Sequence, residues 1–317
     1  MSKNFTSSSN SSKAKIFITG ITGCVGHYLF DLLIKNPDYE LYLLVRNPSK
    51  MQRDLSAFSN VKIVRDDLRN IKNQAEILKE MDYVVHIAAG WGETEANYEF
   101  TINLFKLLNP DKLKKVIYFS TASLLGDDNK VSDLMDKIGT SYIRGKYLCH
   151  KKLPELPIYD RIVTLFPTWV LGGDETHPYS HAMEGIMTAT KWLWLIRFFS
   201  FEISFHFIHA ADIALMVDYL LKNETGQKEY ILGNDLISAQ NLIRQICEFY
   251  HSRVYGQLNI PSSLVKLLAG KKLSSWDKYC LDKKIFEYNV VNPVDFGLQP
   301  KFESINQVLT NLMHNVS

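Results

Sequence analysis

Lys15-Ile16-Phe17-Ile18-Thr19-Gly20-Ile21-Thr22-Gly23-Cys24-Val25-Gly26 is the stretch whose reading decides the fold. A short apolar run ends in three glycines at fixed spacing, and a helical pattern, Val25–Lys35, follows directly. In that setting Gly20 permits a tight turn, Gly23 lets the backbone approach a pyrophosphate, and Gly26 lets helix and strand pack closely. The helix N-terminus then turns its unpaired N–H groups toward the anion. A glycine triplet alone is weak, since the chain holds 16 glycines. The strand before it and the helix after it supply the context the motif requires. The stretch predicts a dinucleotide site.

Working outward, short apolar runs alternate with helical patterns, as in a parallel sheet covered on both faces. The expected strands are Lys15–Thr19, Leu41–Val45, Val61–Val64, Tyr83–Ile87, Val116–Ser120 and Ile162–Phe166. Helices are expected at Val25–Lys35, Ala75–Lys79, Tyr98–Leu108 and Tyr142–Leu153. After Pro167 the rhythm breaks. The segment from Thr176 to Phe205 is aromatic and irregular, Asp212–Lys222 reads as a helix capped by Asp212, and residues 256–317 lack strand–helix alternation. The expected fold is α/β: a doubly wound parallel Rossmann sheet with a smaller C-terminal substrate domain. Residues 1–13 read as a disordered tail and 14–175 as the nucleotide-binding domain. Residues 176–317 read mainly as the substrate domain, with 203–233 returning to the first.

Composition narrows the function classes. With 317 residues, 46% hydrophobic, there is enough apolar surface for a sizeable core. Thirty-six basic against 34 acidic residues leave no polybasic footprint for nucleic acid. The four cysteines show no metal-ligand spacing and suggest free thiols in a reducing, cytoplasmic setting, with no metal site. The Ser/Asn-rich start has no apolar run and does not read as a secretory signal. Trp192–Phe207 is broken by Arg197 and Glu202 and is too short to span a bilayer; a peripheral membrane contact stays open, as does a homodimer.

An NAD site usually carries an acidic residue at the tip of the second strand. Here that strand ends Val45-Arg46-Asn47-Pro48. The planar donor fork of Arg46 suits a 2′-phosphate, so NADP is expected rather than NAD.

Taken together, these segments resemble the extended short-chain dehydrogenase/reductases, the NAD-dependent epimerase/dehydratase group, from about Ala14 to Thr310. TGITGCVG is similar to the family's TGxxGxxG, which implies cofactor contacts by Gly20, Thr22, Gly23, Cys24, Val25 and Gly26. Asp66-Asp67-Leu68 resembles the third-strand tip and implies an adenine contact by Asp67 and Leu68. His86-Ile87-Ala88-Ala89 resembles the HxAA turn, placing Ala88 and Ala89 along the cofactor. Asn97 through Asn103 is similar to NxxGTxN, with Phe100 in place of glycine. Ile208–Ala214 resembles VHVxDVA, and Phe296–Pro300 resembles the C-terminal LGxxP. Phe166-Pro167-Thr168-Trp169-Val170-Leu171-Gly172 resembles (R)PxxVYG, which implies that Pro167 lines the nicotinamide end; Phe166 stands in place of the family's arginine.

The resemblance implies hydride transfer with a Tyr, a Ser/Thr and a Lys as the active set. Three Tyr/Lys pairs have the four-residue spacing: Tyr142/Lys146, Tyr147/Lys151 and Tyr279/Lys283. Gly145 favours Tyr142 and Lys146, because the family places a small residue before the lysine; Tyr147 is the fallback. Tyr147 lies about 140° around the helix from Tyr142 and is expected at its surface, and Tyr279 is expected far from the cofactor. Lys146 is expected to lower the phenol's pKa and to hold the cofactor ribose. Phe119-Ser120-Thr121-Ala122-Ser123 resembles FSSSx, which implies Thr121 as the hydroxyl that holds the substrate oxygen, with Ser120 and Ser123 in competition.

These readings favour an NADP-dependent oxidoreductase acting on a secondary alcohol or ketone of a bulky apolar small molecule. The aromatic set Trp91, Trp169, Trp192, Trp194, Phe198, Phe199 and Phe201 motivates that substrate class. Two alternatives remain: a nucleotide-sugar epimerase, and a non-catalytic NADP-binding sensor or assembly factor. Ala122-Ser123 stand where dehydratases carry Asp-Glu, which argues against dehydration.

Overall fold

The computed structural model describes residues 13–90, 92–254 and 256–313. Residues 1–12 of the expected tail, and Trp91, lie outside the described residues. Strands β1 (Ala14–Thr19), β2 (Tyr39–Val45), β3 (Val61–Arg65), β4 (Tyr83–His86), β5 (Lys115–Phe119) and β6 (Ile162–Pro167) fall within two residues of the sequence expectation. Two further strands, β7 (Trp169–Leu171) and β8 (Phe207–His209), pair with each other. With β9 (Glu229–Leu232), the first six make one parallel seven-stranded sheet in the order β9-β6-β5-β4-β1-β2-β3. This is the doubly wound Rossmann arrangement.

The runs read as continuous because both faces of the sheet are covered. Ile16 and Ile18 of β1 enter one apolar layer and Phe17 the other. Ile117 and Phe119 of β5 likewise part from Val116 and Tyr118, as a two-residue period requires. Helix α1 (Cys24–Leu33) packs against a later helix, α6 (Ala210–Lys222), in the first layer. The second layer is built on α2 (Ala75–Lys79), α3 (Glu99–Lys106) and α4 (Ser141–Lys152). A third cluster, around Leu171, Met183, Phe207 and Ile246, joins α5 (His181–Thr190), α7 (Ala239–Phe249) and α10 (Ile305–Met313) beside the sheet. Between them in sequence lie α8 (Ser262–Ala269) and α9 (Ser275–Lys283). Among the described residues no helix is long and apolar enough to cross a membrane.

Helix α6 corrects one expectation. It starts at Ala210, and its cap is His209, whose Nδ1 accepts from the Ala211 N–H at 3.1 Å. Burial pushes the His209 ring down to about 3, so it is neutral and free to accept. Asp212 sits inside the first turn, fully buried, and accepts the N–H groups of Lys301 (2.6 Å) and Phe302 (3.1 Å). It therefore ties the C-terminal segment to the sheet layer instead of capping its own helix. Burial raises its carboxyl to about 6 against the opposing pull of those two donors. Asp212→Ala should cost about 2–4 kcal/mol in a urea denaturation, because it strands two buried donors.

Candidate active site

A cleft of roughly 1500 Å³ lies at the carboxyl ends of the strands. There the chain leaves β1 and β4 in opposite directions, the position at which open parallel sheets bind ligands. Its floor is the turn between β1 and α1, lined by Gly20, Thr22, Gly23, Cys24 and Val25. The three glycines of that turn have different physical reasons. Gly20 has a φ of +76°, and a Cβ there would fall 2.5 Å from the Ala88 N. A Cβ on Gly26 would fall 2.4 Å from the Gly20 carbonyl oxygen, so this glycine is demanded by protein packing. Gly23 has an ordinary φ of −91°, and a Cβ on it would meet only the Gly20 oxygen, at a normal 3.4 Å. Among the described residues nothing requires glycine at 23, and the position lines the cleft. Cys24 is not a nucleophile here: burial, then the Asp174 charge, pushes its thiol up to about 12.

Beyond the turn, Arg46, Asp67 and Leu68 line the cleft from the tips of β2 and β3, joined by Lys50 and Arg69. Arg46 Nη1 lies 3.6 Å from Asp67 Oδ2, with its side chain largely exposed. Ala88 and Ala89 line the middle. The loop that carries them is held from behind by two buried residues. His86 bridges Thr19 Oγ1 (2.7 Å) and Thr101 Oγ1 (2.9 Å). Asn97 donates to the carbonyls of Gly90 (2.6 Å) and Glu93 (2.8 Å) and accepts from the Gly90 N–H (3.1 Å).

Thr121, Tyr142, Lys146 and Pro167 all line the same cleft. Thr121 follows β5, where its hydroxyl oxygen accepts the Ser123 N–H and hydrogen-bonds to the Tyr142 phenol. Tyr142 stands in the first turn of α4, whose N-cap Thr140 fixes the start of the helix. Gly145 has a direct reason: a Cβ there would sit 2.7 Å from the Thr94 carbonyl oxygen and 2.8 Å from Asn97 Cβ. The helix can approach the cofactor-side loop only because this position is bare. Lys146 is buried; its ammonium donates to the Phe119 carbonyl oxygen at 2.6 Å and lies 4.8 Å above the Tyr118 ring. Burial lowers it to about 8. Ser120 also lines the cleft, its buried hydroxyl without a protein partner, while Thr121 is the hydroxyl that meets Tyr142.

Four expectations are corrected. Burial raises the Tyr142 phenol to about 12, against the opposing bond from Thr121, so in this structure Lys146 does not bring it down. Tyr147 is buried, not at the helix surface, and donates to Asp133 Oδ1 at 2.8 Å, outside the cleft. The second half of α4 is covered by the segment around Met135 and Tyr288, which a single-helix projection cannot show. Tyr279 is not remote: α9 folds back so that Tyr279 and Trp276 join the apolar cluster that Tyr142 packs against. Finally, among the described residues of the expected aromatic set only Trp169 lines the cleft; Trp192, Trp194, Phe198, Phe199 and Phe201 do not, and Tyr179 and Trp276 take their place.

A model of the NAD dependent epimerase/dehydratase family matches residues 16–233, two-thirds of the sequence. The chain belongs to this family. It is an NAD(P)-dependent enzyme of the extended short-chain dehydrogenase/reductase type. No curated protein matches the sequence. Solved structures share the fold at low identity. A UDP-N-acetylglucosamine 4-epimerase from Methanobrevibacter ruminantium is 18% identical (TM-score 0.69; 96% of this chain and 99% of the other covered). Vestitone reductase from alfalfa (Medicago sativa) is 18% identical (TM-score 0.65; 95% and 97% covered). The Bordetella bronchiseptica enzyme WbmG, in complex with NAD, is 15% identical (TM-score 0.68; 97% and 95% covered).

One group in this family member had no sequence signal. Arg53 holds Asp31 with two hydrogen bonds (3.2 and 2.8 Å), Asp31 meets His177 Nε2 (3.0 Å), and His177 Nδ1 meets Asp174 (2.8 Å). Tyr28 stacks on His177 at 3.8 Å and donates to Asp174 at 3.0 Å. These residues are scattered over 150 positions and share no spacing, so only the fold brings them together. They pin the loop before α5 to α1.

The glycine geometry separates cradle from scaffold. Gly23→Val should leave the melting temperature near wild type yet weaken NADPH binding by roughly tenfold or more, measured by calorimetry. Gly26→Val should instead cost on the order of 1–3 kcal/mol of stability through overpacking. Wild-type affinity in a folded Gly23→Val variant would move the cradle elsewhere.

Proposed function

We propose that this chain is an NADP-dependent oxidoreductase that transfers hydride between the nicotinamide and a secondary alcohol or ketone on a bulky apolar substrate. The observation that carries the reading is the Thr121–Tyr142 hydroxyl pair in the cleft, with buried Lys146 on the same helix face. Gly20, Thr22, Gly23, Cys24 and Val25 would hold the pyrophosphate, Asp67 and Leu68 the adenine, Ala88 and Ala89 the middle of the cofactor, and Pro167 its nicotinamide end. Bound NADPH supplies the hydride, and NADP accepts it in the reverse direction. In the reducing direction Tyr142 gives its proton to the carbonyl oxygen as that oxygen gains charge, and Thr121 holds the same oxygen by a hydrogen bond. A phenol kept protonated by burial is ready for that donation at neutral pH. Lys146 serves the ribose and offsets charge on the phenol once the proton has left.

The charges along the cleft support the substrate class. Arg46, Lys50 and Arg69 all stand at the adenosine end. Among the described residues the lining from Pro167 onward contains Trp169, Pro178, Tyr179 and Trp276, with His181 but neither lysine nor arginine. A nucleotide sugar would bring a diphosphate into that half and meet no fixed cation, whereas an apolar ketone buries its surface against the rings. The four cysteines are all free, which supports residence in a reducing compartment such as the cytoplasm.

Two experiments test the reading. NADPH should bind at least roughly tenfold tighter than NADH, since one charged hydrogen-bonded pair is worth roughly 1.5–3 kcal/mol, and Arg46→Ala should abolish the preference. An unchanged preference in that variant would place selectivity on another residue. Tyr142→Phe should keep NADPH affinity but cut ketone turnover by roughly 10²–10⁴. Lys146→Met should damage both affinity and turnover, and Tyr147→Phe should do little to either. Full activity in Tyr142→Phe with a dead Tyr147→Phe would shift the acid by five residues, and wild-type activity in all three would remove the catalytic reading.

A further inference from the structure

The aromatic stretch that does not line the cleft forms a surface of its own. The four most exposed large apolar side chains among the described residues are Leu268 (79%), Leu267 (78%), Leu258 (68%) and Trp194 (61%), and Trp192 (56%) lies beside Trp194 in sequence. They come from two segments far apart in sequence that the fold clasps together. Phe199-Ser200 pairs in parallel with Leu258-Asn259, the Leu258 N–H donates to the Phe198 carbonyl oxygen (2.8 Å), and Arg197 donates to Ser252 Oγ (3.3 Å). Pro261 then starts α8, which carries Leu267 and Leu268 near its end with no residue of the helix buried.

The charge of the same two segments is one-sided. Residues 185–201 and 249–276 contain Lys191, Arg197, Arg253, Lys266, Lys271 and Lys272 and neither Asp nor Glu, and the bordering Glu202, which accepts from Asn259 at 2.7 Å, is met by Lys284. In a chain with 36 basic and 34 acidic residues that is a local asymmetry, not a general one. Lys266 reaches an acid of the next helix, Asp282; Lys191 and Lys272 are exposed.

We infer that this face docks on an anionic lipid surface. Protruding leucines supply the insertion into the acyl boundary, tryptophans favour the headgroup level, and the exposed Lys191 and Lys272 attract anionic headgroups. A two-fold pairing of the face with itself would set the exposed Lys191, Arg253 and Lys272 against their own copies, so like charge opposes a second copy as the occupant. Both segments run on in sequence from, or into, elements that line the cleft. Lys191 and Trp192 directly follow α5, whose His181, Ala182 and Gly185 line the cleft, and α8 is followed within seven residues by the cleft-lining Trp276. Docking thus sets the apolar half of the cleft against the bilayer, the phase into which an apolar substrate partitions. That consequence rests on the proposed reaction; the docking itself does not.

Sedimentation with vesicles tests the docking without any turnover. Full-length protein should pellet with phosphatidylcholine vesicles containing phosphatidylserine roughly tenfold more strongly than with phosphatidylcholine alone, and less so at high salt. Leu267→Ser combined with Leu268→Ser should lower vesicle affinity by roughly tenfold or more with circular dichroism and melting unchanged. Lys191→Glu combined with Lys272→Glu should remove the phosphatidylserine preference. Failure of the wild type to pellet, or undiminished binding by the leucine variant, overturns the inference. So does a concentration-dependent dimer in analytical ultracentrifugation that the leucine variant loses, which would make the face a protein interface.

Discussion

The constraint on which the site depends is the burial of the Lys146 ammonium. Removing a cation from water costs several kcal/mol even after relaxation, and here the visible return is a hydrogen bond to the Phe119 carbonyl oxygen and the face of Tyr118. Holding it there requires α4 to lie close against the Thr94–Asn97 turn, which requires Gly145. The same approach places Tyr142 against Thr121 at the end of β5. Packing therefore fixes on one helix both the buried ammonium and the phenol to which the proposed function assigns the chemistry.

The remainder of the cleft is an exercise in backbone proximity. Gly20 against Ala88 and Gly26 against Gly20 bring β1, α1 and the loop after β4 within backbone contact. Asn97 and His86 lock that loop from behind, and Asp212 draws the C-terminal segment back over the sheet layer. Arg46, Lys50 and Arg69 line the cleft at the tips of β2 and β3, whereas Trp169, Tyr179 and Trp276 line it beyond β6, with Lys146 buried between, so the two ends suit different chemistry before any ligand is considered.

Much of this was legible in the sequence. Strands such as Val116–Phe119 are covered on both faces, so their apolar runs are unbroken and their ends sharp. The glycine turn, Arg46 and the Tyr142/Lys146 spacing are local patterns, and local patterns survive in one dimension. What stayed hidden depends on distant partners. Tyr147 projects from the opposite side of its helix, which a helical wheel assigns to solvent; the chain covers it with Asp133 and Tyr288. Asp212 has the residue type of a cap, but its partners are backbone groups 89 and 90 positions later. Trp276 enters the cleft only because α9 returns across it, whereas Trp192 and Trp194, the more conspicuous in sequence, point away.

The central claim is that the cleft performs hydride transfer to carbon, and isotope tracing tests it most directly. NADPH carrying deuterium at the reactive nicotinamide position is incubated with the enzyme and a panel of aromatic ketones and nucleotide sugars, and products are read by mass spectrometry. The account expects an alcohol product from an aromatic ketone with deuterium at the carbinol carbon, and no label in the sugars. Unlabelled products throughout, with NADPH shown to be bound, would contradict it.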